Sequence, residues 1–156
     1  MPKKSKRPSL SGSVYEKAEV SPGYLFWKTF NIWSRLLRVE LEKLELTQAQ
    51  YSILAALGYL SSANEHVSQQ DIANQLSMDK MMVSDVTKTL ERKKMISRKS
   101  NPTDGRSYSL SLTAEARRVL KTAVPLVESV DESFFDRLSA EQSKSFMAAL
   151  TRLSAK

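Results

Sequence analysis

Between Asp79 and Lys99 the chain carries Lys80, Met81, Ser84, Asp85, Lys88 and Arg92, followed by Lys93, Lys94, Arg98 and Lys99. At the helical rotation of about 100° per residue, Met81, Ser84, Asp85, Lys88 and Arg92 share one side, opposite Val83, Val86, Thr87 and Leu90. The second set is apolar enough to pack. The first presents hydrogen-bonding groups and cations on a rod that fits the major groove of B-DNA, where early side chains reach base edges and later basic ones meet phosphates. Lys80, Met81, Ser84 and Asp85 are therefore candidate base readers, and Lys88 and Arg92 candidate phosphate anchors. A solvated helix face has the same pattern, so the surrounding elements must decide.

A second cluster follows in Asn101-Pro-Thr-Asp-Gly-Arg-Ser-Tyr-Ser-Leu-Ser-Leu-Thr113. Asn101-Pro102 and Asp104-Gly105 are turn chemistry, and Tyr108, Leu110 and Leu112 alternate with Ser107, Ser109 and Ser111 as in a half-buried strand. A guanidinium at such a tip, Arg106, can enter a narrow, strongly negative A·T-rich minor groove. Arg98, on the opposing strand, is a further candidate contact. Asp104 beside phosphate would be repelled, so its expected role is to brace the tip or orient Arg106 or Arg98. Ser68 and Gln69, at the start of another predicted helix, can donate to phosphate from its N-terminus, although simple capping accounts for them equally well.

Composition excludes several chemistries. The absence of cysteine removes disulfides, thiolate metal sites and thiol redox sensing, and a single histidine, His66, argues against a histidine-rich metal site. Nucleophilic catalysis has no supporting motif, and four glycines form no phosphate-binding loop. No enzyme, cofactor or metal is expected. A formal charge of +7 favours polyanionic partners. The distribution is uneven: no acid falls between Glu91 and Asp104, whereas Glu128, Asp131, Glu132, Asp136 and Glu141 crowd a later helical region. No apolar run approaches a membrane span, and Lys3, Lys4, Lys6 and Arg7 precede a polar stretch instead of a signal core, so a cytoplasmic protein with a flexible basic arm over residues 1–20 is expected.

The elements that must position these residues are legible from caps and periodicity. Ser21-Pro22 opens a first helix to about Lys43, with an aromatic load of Tyr24, Phe26, Trp27, Phe30 and Trp33. Thr47-Gln-Ala-Gln50 is a capping box for a second helix through Leu60. After a loop at 61–67, Ser68-Gln-Gln-Asp71 caps a short third helix. Ser77-Met78 then turns the chain into a fourth helix from about Asp79 to near Lys94, the helix-turn-helix arrangement. Ile96–Ser100 and Tyr108–Leu112 pair as a hairpin. Thr113 opens a fifth helix in which Pro125 predicts a kink or break, and Ser139-Ala-Glu-Gln142 caps a sixth with Phe146, Leu150 and Leu153 on one face.

This order, together with Leu46-Thr-Gln-Ala-Gln-Tyr51, Gln70-Asp-Ile-Ala-Asn-Gln-Leu76, Leu90-Glu-Arg-Lys93, and the Asp-x-Arg and Leu-x-Leu-Thr of the hairpin, resembles the MarR family of bacterial transcription regulators from roughly residue 21 to residue 153. The resemblance implies a mainly α, winged helix-turn-helix fold of about six helices and a small β-hairpin wing. It implies residues 21–46 as the first helix of a dimerisation lobe, 47–112 as the DNA-binding lobe and 113–156 as C-terminal dimerisation helices. It also implies a repressor acting on double-stranded DNA, and a cleft for a small aromatic or anionic effector, for which Tyr24, Trp27 and Tyr51 are the candidates. One winged module presents one reading helix, so a homodimer on a pseudo-palindromic operator is expected, with Phe134, Phe135, Leu138, Phe146, Leu150 and Leu153 supplying apolar surface. Two positions depart from the family pattern: relatives often carry a basic residue at Asp85 and glycine at Lys94. Asp85 is also the one feature favouring a winged-helix protein-interaction module, and an activator without an effector is a further alternative.

Overall fold

Side-chain caps determine where the helices begin. In the computed structural model, which describes residues 11–100 and 108–155, Thr47 Oγ1 accepts from the Gln50 N–H while Gln50 Oε1 accepts from the Thr47 N–H, both at 3.2 Å. Ser68 with Asp71 and Ser139 with Gln142 repeat this reciprocal box, and Thr113 Oγ1 accepts from the Ala116 N–H. Each cap satisfies backbone donors that a helix leaves unpaired, worth about 1 kcal/mol.

A 3-10 turn at Ala18–Val20 is followed by α1 (Pro22–Glu42), α2 (Gln48–Leu60), α3 (Gln69–Leu76), α4 (Lys80–Arg92), β1 (Ile96–Ser100), β2 (Tyr108–Leu112), α5 (Ala114–Phe135) and α6 (Ala140–Ser154). This is the mainly helical architecture with a two-stranded antiparallel hairpin that the sequence predicts. Among the described residues no helix is long and apolar enough to cross a membrane. Residues 1–10 of the arm expected over 1–20, and the hairpin tip with Asp104 and Arg106, lie outside the described residues; the rest of that arm includes the 3-10 turn Ala18–Val20.

Two compact units divide the chain, one up to Leu36 and one from Leu37 to Lys156. In the first, Phe26, Trp27 and Phe30 are exposed, and the Phe30 and Trp33 rings lie 5.9 Å apart. In the second, Leu41, Ile53, Leu54, Leu57, Ile72 and Leu90 are fully buried, giving α2, α3 and α4 a shared core. Gly58 lets α2 pass close to the hairpin and α5: a Cβ there would sit 3.3 Å from Leu112 Cδ1 and 3.9 Å from Leu120 Cδ1.

Antiparallel pairing runs from Ile96 opposite Leu112 to Ser100 opposite Tyr108. The Leu110 N–H also donates to the Val67 carbonyl at 2.8 Å, tying β2 to the segment before α3. Leu110 and Leu112 are buried as expected, but Tyr108 is half exposed and Ser109 is buried. The alternation fails at Tyr108 because that end of the hairpin extends beyond the core and its ring covers Arg98 instead.

Pro125 does not interrupt α5, which is continuous from Ala114 to Phe135. Its ring removes one donor, and it is exposed, as is Lys121 four residues earlier, so solvent can reach the carbonyl left without its helical partner.

Three helix ends use left-handed residues that are not glycine: Glu45 (φ 55°), Ser77 (φ 50°) and Lys94 (φ 58°). After each, the next amide reaches five residues back: Leu46 to the Leu41 carbonyl, Met78 to Ala73 and Met95 to Leu90. These are Schellman endings, in which glycine avoids the Cβ clash that the other residues incur. Lys94 thus adopts a left-handed conformation that glycine would take without strain.

Tyr51, on α2, is half-buried, and its hydroxyl pKa is raised by burial and then by the charges of Glu128 and Asp131 on α5.

Two stability changes follow from these features. Lys94→Gly should raise unfolding stability by about 1 kcal/mol, read as a higher urea midpoint at unchanged slope; an unchanged or lower midpoint contradicts strain at this position. The folded state holds the Tyr51 proton more tightly than the unfolded chain does. Its contribution is therefore complete below the ordinary tyrosine pKa of about 10 and is lost as pH rises through the folded value. Urea titrations at about pH 9 and about pH 11 should show a smaller alkaline loss in Tyr51→Phe than in the native protein, and equal losses count against this linkage.

Candidate nucleic-acid interface

The orientation of α4 follows from its buried side. Val83, Thr87 and Leu90 are fully buried, and Thr87 Oγ1 donates back to the Val83 carbonyl at 2.5 Å, satisfying a hydroxyl that has no access to water. That leaves Lys80, Met81, Asp85, Lys88 and Arg92 exposed, with Ser84 and Val86 half-buried at the margins. The structure therefore brings Met81, Asp85, Lys88 and Arg92 into one outward stripe, with Lys80 at its start. Asp79 caps the helix: its Oδ1 accepts from the Met81 N–H at 2.8 Å and the Met82 N–H at 3.2 Å. A carboxylate at the positive end of the helix dipole is favourable, but it occupies the donors a phosphate would need. Anion binding on α4 consequently rests on its later side chains.

Within the stripe, Lys88 Nζ lies 3.3 Å from Asp85 Oδ1, and Arg92 Nη2 donates to Thr89 Oγ1 at 3.0 Å. Both members of the Lys88–Asp85 pair are exposed, so the pair is worth at most about 1 kcal/mol and opens readily toward a competing phosphate. It also offsets the charge of Asp85, which otherwise opposes a polyanion on this face.

The hairpin is held against the end of α4 by Arg98. Its guanidinium carbon stands 5.0 Å from the centre of the Tyr108 ring, and its Nε is 3.6 Å from Glu91 Oε2. Arg98 and Tyr108 are diagonal neighbours on the same strand face, a position that long and aromatic side chains can span. Among the described residues, Nε and Nη2 are inaccessible and lack hydrogen-bond partners, and the ring face and the Glu91 charge offset their desolvation. Arg98 is therefore placed as a positioning residue between α4 and the hairpin. Thr113 strengthens the same joint: its hydroxyl lies 2.9 Å from the Lys94 carbonyl and 3.2 Å from that of Met95, and its N–H donates to the Met95 carbonyl.

The basic run after α4 is not one surface. Lys93 Nζ donates to the Glu45 carbonyl at 2.6 Å, with Gln50 Oε1 at 3.4 Å, so its charge caps the turn between α1 and α2. Sequence spacing gave no signal for this contact, since its partners lie more than forty residues away. Glu91 as the partner of Arg98 was likewise missed, whereas the capping role of Asp79 was detectable from its place before the periodic run.

At α3, the Ser68 hydroxyl donates to Asp71 Oδ2 at 2.7 Å and accepts from the Asp71 N–H. Capping thus engages it in both directions, and Gln69 beside it is half-buried. Of the effector candidates, Tyr24 is half-buried with Lys28 Nζ 5.8 Å from its ring centre, Trp27 is exposed, and Tyr51 packs near the acids of α5.

Comparison with known proteins fits this arrangement. The MarR family model matches residues 46–108, from two residues before α2 to the first residue of β2. YdcH, a helix-turn-helix transcriptional regulator of Bacillus subtilis, is 34% identical over 141 residues, covering 90% of this chain and 95% of YdcH. A helix-turn-helix transcriptional repressor of Mycobacterium bovis is 27% identical over 131 residues, covering 84% of this chain and 91% of its own. Among solved structures, S. aureus MepR in complex with DNA aligns at a TM-score of 0.77 and 26% identity, covering 85% of this chain and 96% of MepR. With an outward-facing α4, a hairpin braced beside it and a relative similar over almost its whole length, the chain belongs to the MarR family and is a DNA-binding transcriptional regulator.

Proposed function

We infer that the protein is a cytoplasmic repressor that binds a pseudo-palindromic operator as a homodimer, with one α4 in each of two major-groove faces about 10 base pairs apart. The observation that carries this reading is the exposed stripe on α4, oriented by a buried opposite side and joined through Arg98 to the hairpin. Lys88 and Arg92 serve as phosphate anchors, Lys80, Met81, Ser84 and Asp85 face the bases, and Arg106 is the minor-groove contact. Ser68 and Gln69 are the weaker members of the set, because capping already engages the serine.

Dimerisation is supported by α6, which contributes no fully buried residue although the tilted Phe135 and Phe146 rings lie 5.7 Å apart, and which leaves Met147 61% and Leu153 80% exposed. An amphipathic helix with its apolar side in water is stabilised by pairing with a second copy. The division of labour follows: residues 47–112 read DNA, and residues 21–46 and 113–156 associate. The effector class we infer is a small aromatic molecule. Near Tyr51 the field of Glu128 and Asp131 favours a neutral or cationic ligand over an anionic one.

Genomic fragments selected by the purified protein supply the duplex for the test. Affinity should fall steeply with salt, and Lys88→Ala and Arg92→Ala should each weaken binding and reduce the slope of log affinity against log salt by about one; no duplex binding at low salt defeats the reading. Met147→Asp combined with Leu153→Asp should halve the mass seen by light scattering and weaken operator binding while the helical circular dichroism persists. A double variant that remains a dimer removes this face of α6 from the interface.

A further inference from the structure

The outward stripe of α4 carries in its first turn an apolar residue that the fold does not use. Met81 is 76% exposed, one of the most exposed large apolar side chains described, while its backbone N–H is anchored to Asp79. Its direction is not accidental. It lies about 160° around the helix from the buried Val83 and within about 40° of Asp85 and Lys88, so whatever surface receives the stripe also receives Met81.

The floor of the major groove offers hydrogen-bond donors and acceptors at every base pair and one apolar group, the 5-methyl of thymine. A thioether donates no hydrogen bond and accepts only weakly. Facing the amino group of cytosine or adenine, Met81 would strip water from a donor and return nothing; facing a thymine methyl, it buries apolar surface on both sides. Its unbranched, polarisable chain can adjust to reach the methyl without moving the helix.

We propose that Met81 is a specificity-determining residue that selects thymine at one position of each half-site through its 5-methyl group. This rests on α4 being the groove helix, and the experiment separates the two claims. The wild-type protein is first titrated with its selected genomic duplex. Thymines of one half-site are then replaced singly by deoxyuridine, which removes the methyl group and leaves base pairing unchanged. One position should lose affinity about fourfold, the effect of exposing one methyl-sized group. In Met81→Ala that thymine–uracil difference should vanish, and in Met81→Leu, which keeps an apolar side chain of similar volume, it should largely persist. The high exposure of Met81 means that both variants should melt with the wild type. Tight duplex binding with no uracil-sensitive position, or a sensitive position that survives in Met81→Ala, overturns the proposal while leaving α4 as the groove helix. Failure to bind any duplex overturns both, and is seen before any thymine is replaced.

Discussion

The joint between α4 and the hairpin is the constraint on which the rest of the DNA-reading geometry depends. A reading helix and a wing can engage adjacent grooves only if the angle between them is held, and here that angle is fixed within a few residues. Lys94 turns the chain through a left-handed conformation, Met95 and Ile96 enter the core, and Thr113 returns from the far strand to bind the Lys94 and Met95 carbonyls. Arg98 adds a second brace through Glu91 and Tyr108. Strain at Lys94 is therefore compensated by bonds made a strand later, and the hairpin register determines whether those bonds can form.

Charge is organised by the same joint. The sequence offers a block of cations after α4, and a simple count makes all of them available to a polyanion. In the fold, Lys93, though exposed, donates to the Glu45 carbonyl at the α1–α2 junction and Arg98 is largely covered, while Lys88 balances Asp85. The exposed cations of α4, Lys80, Lys88 and Arg92, sit on a helix whose first-turn amides are already occupied by Asp79. Such an arrangement relies on the placement of individual groups more than on net attraction.

Much of the fold was legible because its signals are local. Capping boxes at Thr47, Ser68 and Ser139 place three helix starts to the residue, and the period of Val83, Thr87 and Leu90 assigns the buried side of α4. Pro125 shows what a local rule leaves open between a kink and a break: a missing donor on an exposed helix face does not break α5. Tyr108 shows the opposite limit, since alternation could not indicate that the core ends before that ring. The candidate site was legible as a helix face but not as a set of interactions. The partners of Lys93 come from another part of the chain, and the Arg98–Tyr108 contact depends on strand register, which side-chain type alone does not specify.

The bond from the Leu110 N–H to the Val67 carbonyl also bears on how the molecule behaves among its copies. A two-stranded hairpin has two edges, and either can recruit a strand from another molecule. Val67 occupies the edge of β2 at its centre, Leu110. The opposite edge belongs to β1, five residues long, with exposed Lys99 near its end. Short length and a lysine are common means of keeping a strand edge from propagating, so the contact that seats the hairpin on the helical core also protects it from sheet-to-sheet aggregation.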